Sequence, residues 1–220
     1  MLVNLKEILE IAKHGVINIH ASLLPKLRGA SPIHYAILNG FDKTGISIMK
    51  TDVGIDTGDV LLQVETPIGE SETCGELFDR LSSLGANAIL DALPLIENGS
   101  AIFTKQDDSL ATFSKIIKKE DAFIDWSKSA TDIFNQVRAF NPAPVAYTLL
   151  NGEPFKIYEC KVVNYSGNAG EVIDNEKQLI VACGKDALLL QTVQKAGGKP
   201  MKISDFLLGN KIQKGFILGK

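Results

Sequence analysis

The 220-residue sequence predicts an α/β domain with a mostly parallel sheet, followed by a small OB-like β-barrel. Helix and strand patterns alternate in the first half, and about five short strands with Gly and Asn turns fill the second. The net charge also differs between the two halves. Residues 1–109 contain 8 Lys/Arg and 15 Asp/Glu, whereas residues 110–220 contain 15 Lys/Arg and 11 Asp/Glu. We interpret this division as two modules, of which the second either faces a polyanion or shows ordinary surface variation.

The composition limits the class of protein. Apolar residues make up 45% and charged residues 22%, which predicts a buried core rather than disorder. The three cysteines are scattered and form no CxxC pair, as expected for a reducing compartment and no bound metal. Neither a secretory signal nor an apolar run of about 18 residues is present, so we expect a cytoplasmic protein without membrane association.

The first half alternates between two periodicities. A period near 3.6 with capping signals predicts helices over 4–15, 32–39 and 74–96, and a period of two predicts strands over 16–20, 45–50 and 60–65. In the longest helix Thr73 and Glu76 form a capping box, and the apolar stripe is Leu77, Leu81, Leu84, Ala88, Ala92 and Leu95. About three strands are few for a parallel sheet. We therefore interpret this half as the second part of a doubly wound domain whose first strands are absent.

The second half has a different pattern. The polar segment 114–121 is the predicted linker between a domain over 1–113 and a domain over 122–220. A helix is expected within 125–140, and Asn151-Gly152 predicts a tight hairpin turn. The remaining expected elements are strands over 145–150, 155–163, 171–173, 179–183 and 187–194, and a helix over 203–208.

Three polar residues could carry chemistry. Asn18 and His20 alternate with Ile17 and Ile19, which places an amide and an imidazole on one strand face. An amide can donate to a developing oxyanion, an imidazole can move a proton, and the carboxylate of Asp56 can orient it. This set suits acyl or formyl transfer to an amine, although a purely structural polar strand end has the same pattern.

No Ser or Cys nucleophile is paired with His20, so direct transfer is favoured over a covalent intermediate. His14 and His34 are predicted to be structural. Lys26 and Arg28 could meet a phosphate or another anionic group, or could lie on a solvated loop.

The stretch NIHASLLPKLRGASPI, followed by DVGIDTGD with Asp56 placed 36 positions after His20, resembles the folate-dependent formyltransferase superfamily. The segments KKEDAFIDW and VRAFNPAP and the ending KISDFLLGNKIQKGFILG are similar to the C-terminal domain of the methionyl-tRNA formyltransferase family. The resemblance therefore extends over essentially the whole chain.

The resemblance implies a Rossmann-like catalytic domain, an OB-like tRNA-binding domain, and no metal. The formyl donor would be 10-formyltetrahydrofolate and the acceptor the α-amino group of methionyl-initiator-tRNA in translation initiation. Asn18, His20 and Asp56 would be catalytic, and Ser22, Leu23, Leu24 and Pro25 would bind the folate. The lysines we expect to contact the tRNA backbone are Lys115, Lys118, Lys119, Lys195, Lys199 and Lys202.

The resemblance also implies that the first part of the Rossmann-like domain is missing, so we expect a protein that is weakly active or inactive alone. We also expect a monomer. Two alternatives are a formyltransferase acting on another amine, such as an amino-sugar nucleotide, and an inactive remnant that binds RNA.

Overall fold

The computed structural model describes residues 9, 11–176 and 178–219, so the predicted helix over 4–15 lies largely outside the described residues. The chain divides into two compact units, Met1–Ile117 and Lys118–Lys220. The predicted linker residues do not form one irregular segment, because Ser114 ends a short strand and Lys119–Ala122 forms a 3-10 turn.

The first unit contains a three-stranded sheet of order β1-β3-β4. The elements are β1 (Ile17–His20), β2 (Arg28–Gly29), α1 (Pro32–Leu38), β3 (Lys43–Lys50), β4 (Val60–Pro67), α2 (Cys74–Glu97) and β5 (Phe113–Ser114). The central strand β3 is buried at its six inner positions, because β1 and β4 flank it and α2 packs on it. The two-residue strands β2 and β5 pair in parallel.

The pairing within this sheet corrects the expectation of mostly parallel strands. β1 pairs antiparallel with β3, and β3 pairs antiparallel with β4. The segment between β3 and β4 is only nine residues long and contains no helix. A parallel connection needs a crossover of a dozen or more residues, so this short loop can only return the chain as a hairpin.

The long helix α2 begins as predicted. Thr73 accepts a hydrogen bond from the Glu76 amide, and Glu76 caps the Thr73 amide in return. The buried stripe differs in part from the predicted one, because Gly85 and Ile96 are buried while Leu95 is 39% exposed. Both stripes recur every three or four residues, so the helical period alone does not choose between Leu95 and Ile96.

The second unit is an antiparallel sheet of order β6-β7-β10-β9-β8, with β11 on β10. The elements are α3 (Ala130–Ala139), β6 (Tyr147–Leu150), β7 (Glu153–Val163), β8 (Val172–Asp174), β9 (Leu179–Ala182), β10 (Ala187–Lys195), β11 (Met201–Lys202) and α4 (Ile203–Gly209). Asn151 and Gly152 have φ values of 54° and 78°, as the predicted hairpin turn requires. An α/β unit followed by a curled antiparallel unit confirms the predicted fold class.

Candidate active site

The strand β1 delivers Asn18 and His20 to the same face. In β1 successive side chains point to opposite faces, so residues two apart lie side by side. His20 is only 6% exposed, and Asn18 is half-buried. Among the residues that the structure describes, none forms a hydrogen bond with the carboxamide of Asn18, a group that has two N–H donors.

The ring of His20 is oriented from both sides. Its Nε2 lies 3.0 Å from the carbonyl oxygen of Leu27, and a carbonyl can only accept, so Nε2 carries a hydrogen. Leu27 is buried, and its backbone adopts the left-handed conformation, with φ 59°. The second ring nitrogen, Nδ1, faces the carboxylate of Asp56 at 3.7 Å. Nδ1 is therefore the nitrogen that can exchange a proton.

The loop between β3 and β4 carries Asp56. This residue also has a left-handed backbone, with φ 51°, a conformation that Asp tolerates better than most residues. Its Oδ2 accepts a hydrogen bond of 2.7 Å from the Gly29 amide. The carboxylate is thus held between the amide of β2 and the imidazole of β1.

Two side chains beside this loop, Arg28 and Gln106, are buried in positions that were not predicted. Arg28 is 3% exposed and donates to Gln106 and Asp108, which excludes the solvated loop that we considered for it. Gln106 is 8% exposed and lies in a segment without helix or strand. A single glutamine in an irregular segment has no sequence signal that separates it from a surface residue.

Asn18, His20 and Asp56 line one cavity of about 380 Å³. The structure therefore brings the three predicted catalytic residues together. Other residues on its wall are Gly29, Ser31, His34, Cys74 and Phe78. His34 thus lies closer to the candidate chemistry than its expected structural role suggested.

The four predicted folate-binding residues line other cavities. Ser22 and Leu23 face a cavity of about 330 Å³ together with Lys26 and Phe41. Leu24 and Pro25 face a third cavity of about 310 Å³. The turn is fixed internally, since the Ser22 hydroxyl donates to the Lys26 carbonyl at 2.6 Å and Ser47 bridges Ser22 and Leu24.

The six lysines predicted to contact tRNA are all exposed. Lys115 belongs to the first unit, and the others belong to the second: Lys118, Lys119, Lys195, Lys199 and Lys202. Exposure is necessary for a lysine to contact tRNA phosphates, but it does not by itself distinguish these six lysines from the other surface cations.

The thiol of Cys74 on the cavity wall is expected to be inert. Burial raises the pKa of Cys74 to about 11, so at pH 8 only about one thiol in a thousand is a thiolate. We expect native protein to react with a disulfide reagent such as DTNB far more slowly than urea-unfolded protein, measured by thiolate absorbance. Rapid labelling of native Cys74, identified by peptide mass, would contradict this and reopen a covalent mechanism.

Two further properties concern the described part of the chain. Residues 9, 11–176 and 178–219 contain no cluster of three or more His, Cys, Asp or Glu side chains arranged to hold a metal ion. Over the same residues, none of the helices has the length and apolar character needed to cross a bilayer.

Comparison with known proteins places the chain in a family. A family model described as formyl transferase matches residues 1–93, and one described as formyl transferase, C-terminal domain, matches residues 116–211. The methionyl-tRNA formyltransferase of Streptococcus mutans is 50% identical over 207 residues, which are 93% of this chain and 67% of that protein.

Solved structures share the fold. HypX from Aquifex aeolicus, in complex with tetrahydrofolic acid, has a TM-score of 0.66 at 18% identity, over 88% of this chain and 34% of its own. Methionyl-tRNA formyltransferase from Clostridium thermocellum has a TM-score of 0.55 at 24% identity, over 74% of this chain and 69% of its own. The chain thus spans about two thirds of the curated relative and about a third of HypX. Half of its aligned residues are identical to the curated relative, and both of its units match formyl transferase domains, so the chain belongs to the methionyl-tRNA formyltransferase family.

Proposed function

We propose that this protein transfers a formyl group from 10-formyltetrahydrofolate to the α-amino group of methionyl-initiator-tRNA. Family membership supports the reaction class, and the names of the curated relatives support the acceptor. The observation that carries the proposal is the arrangement of His20, with Nε2 on the Leu27 carbonyl and Nδ1 facing Asp56, in one cavity with Asn18.

In the proposed reaction the acceptor nitrogen attacks the formyl carbon directly. Negative charge then develops on the formyl oxygen, and the N–H donors of Asn18 are placed to bind it. The thiol of Cys74 is held in its protonated form and offers no competing nucleophile. The formyl group therefore passes from folate nitrogen to amine nitrogen without becoming attached to the protein.

The attacking amine must lose a proton. Nε2 of His20 already carries a hydrogen, so Nδ1 accepts the proton, directly or through one water. The resulting imidazolium faces the Asp56 carboxylate, which stabilises it. It then returns the proton to the folate nitrogen as the bond between that nitrogen and the formyl carbon breaks. The Gly29 amide keeps that carboxylate in place.

The folate is proposed to be held by Ser22, Leu23, Leu24 and Pro25, directly after β1. Leu23 and Phe41 line the same cavity and offer an apolar wall to a flat ring, and Lys26 is close enough to face an anionic tail. The exposed lysines of both units are proposed to contact tRNA phosphates. We further propose a cytoplasmic monomer without membrane association.

The decisive experiment offers two different acceptors to the same protein. Purified chain in excess is mixed with 10-formyltetrahydrofolate and either methionyl-initiator-tRNA or an amino-sugar nucleotide, so that even a slow single turnover yields measurable product. We expect formyl-methionyl-tRNA only, with an apparent tRNA affinity that falls as salt rises, by a log–log slope of about −0.7 to −0.9 for each phosphate contacted.

Formylation of the sugar nucleotide without tRNA would identify another acceptor class. Salt-sensitive RNA binding with no formylated product from any acceptor would contradict the proposal, and would identify an RNA-binding protein instead.

A further inference from the structure

We propose that Gln106 is a positioning residue for the reaction proposed above: its carboxamide holds the loop that carries Asp56, and Arg28 holds the carboxamide. The inference rests on the proposed function for its catalytic consequence and on the structure alone for its geometry. We call the hydrogen-bonded set of Arg28, Gln106 and the two loop carbonyls the Gln106 clamp.

The clamp uses every polar atom of the Gln106 side chain. Nε2 donates to the carbonyl oxygens of Asp56 at 2.8 Å and Gly58 at 2.7 Å. Oε1 accepts from Nε of Arg28 at 3.0 Å and from Nη2 at 2.8 Å. A guanidinium can only donate and a carbonyl can only accept, so the orientation of the amide is fixed.

The loop needs such a restraint. Asp56 has a left-handed backbone, which costs an L-residue free energy and persists only where surrounding contacts impose it. Two residues later, Gly58 lies so close to the Lys50 carbonyl that an added Cβ would be 1.8 Å from its oxygen. Gln106 grips the carbonyls of both residues and thereby fixes the segment in which the carboxylate is placed.

The clamp also links the two ends of Asp56. Arg28 holds Gln106, which holds the Asp56 carbonyl, and Gly29 next to Arg28 donates its amide to the Asp56 carboxylate. The strand β2 therefore restrains Asp56 in two ways. Its Arg28 acts on the Asp56 backbone through Gln106, and its Gly29 amide binds the Asp56 carboxylate directly. Movement at Gln106 should displace the carboxylate relative to His20.

A merely structural role is the competing interpretation. Gln106 would then serve only to satisfy the buried guanidinium of Arg28, and Asp56 would stay in place without it. The variant Gln106→Glu separates the two roles. The carboxylate still accepts from Arg28, but it cannot donate, and its second oxygen faces two carbonyl oxygens that repel it.

Hydrogen exchange of single backbone amides measures the position of Asp56 without any turnover. In Gln106→Glu we expect the Gly29 amide to exchange at least ~10-fold faster, because its acceptor is the Asp56 carboxylate. The neighbouring amides are internal references, since Arg28 donates to the Thr112 carbonyl and Ala30 to the Ser114 carbonyl. Asp56→Ala gives the rate expected when the acceptor is removed.

Kinetics test the consequence. We expect kcat to fall about 10²-fold in Gln106→Glu with KM little changed, because a shift of about 1 Å in a catalytic group has that effect. In an Asp56→Ala background the same substitution should have no further effect, since Gln106 acts through Asp56. Asp108→Asn is the matched control, because Asp108 contacts the same Arg28 from an exposed position. We expect this variant to keep both the exchange rate of the Gly29 amide and kcat unchanged.

Several outcomes would overturn the clamp. Unchanged exchange at Gly29, or faster exchange at Arg28, Gly29 and Ala30 together, would each leave Gln106 a structural residue only. If Gln106→Glu does not fold, Gln106→Met replaces it, because this variant removes the same donors without adding a charge. The same outcomes at the Arg28, Gly29 and Ala30 amides then decide between the two roles. Since the exchange measurement needs no formyl donor, failure of the clamp and failure of the proposed reaction remain distinguishable.

Discussion

His20→Ala is expected to lower kcat/KM for formyl transfer by about 10³-fold, the range lost when a general base is removed. The substitution removes the imidazole that lies against Asp56 and that we propose as the acceptor of the amine proton. It also leaves the Leu27 carbonyl without its imidazole donor. The measurement is single-turnover formylation of methionyl-tRNA, with the circular dichroism spectrum as a check that the variant is folded.

The chain offers a matched control in His14. This histidine is exposed and does not line the cavity that contains Asn18 and Asp56. His14→Ala should therefore retain the full rate. A His20→Ala protein with more than about a tenth of the original activity would contradict the assignment of His20 as proton acceptor.

Gly29→Ala is expected to destabilise the first unit by about 3 kcal/mol, from backbone strain and overpacking together. Gly29 has φ 105°, and an added Cβ would lie 2.4 Å from the Ser114 carbonyl oxygen. The pair β2–β5 cannot form around that contact, so the Gly29 amide should also lose Asp56 as its acceptor. Urea unfolding followed by circular dichroism gives the change in the free energy of unfolding.

Gly99→Ala is the control that has the backbone strain without the steric contact. Gly99 has a positive φ of 77° in the same unit, but an added Cβ meets nothing within 4 Å. We expect it to cost only about 1 kcal/mol, the usual price of a left-handed L-residue. Equal destabilisation by the two variants would show that the contact with Ser114 relaxes at little cost.

Local patterns predicted the elements that frame the cavity. The alternation of Ile17 and Ile19 with Asn18 and His20 placed the amide and the imidazole on one face of β1, and the structure has them there. The capping box at Thr73 and the turn at Asn151-Gly152 are also confirmed. Each of these signals lies within a few residues, where side-chain spacing and backbone preference act directly.

The remaining features arise from contacts between distant parts of the chain. Gln106 reaches Asp56 across 50 positions, and Arg28 reaches Gln106 across 78. Arg28 was considered either as a contact for an anionic group or as part of a solvated loop, and in the structure it is a buried hydrogen-bond donor. The antiparallel pairing of β1 and β3 likewise depends on which strand ends meet in space, which the period of a strand does not specify.

The sequence by itself determined the class of this protein and the residue types of its cavity, because periodicity, capping and the spacing of Asn18, His20 and Asp56 are properties of the chain. Only the tertiary structure decided which nitrogen of His20 faces Asp56 and what holds Asp56 there. The physical reason is that hydrogen-bond partners of buried polar groups are set by three-dimensional proximity, and a residue such as Gln106 acquires its role only when packing excludes water from it.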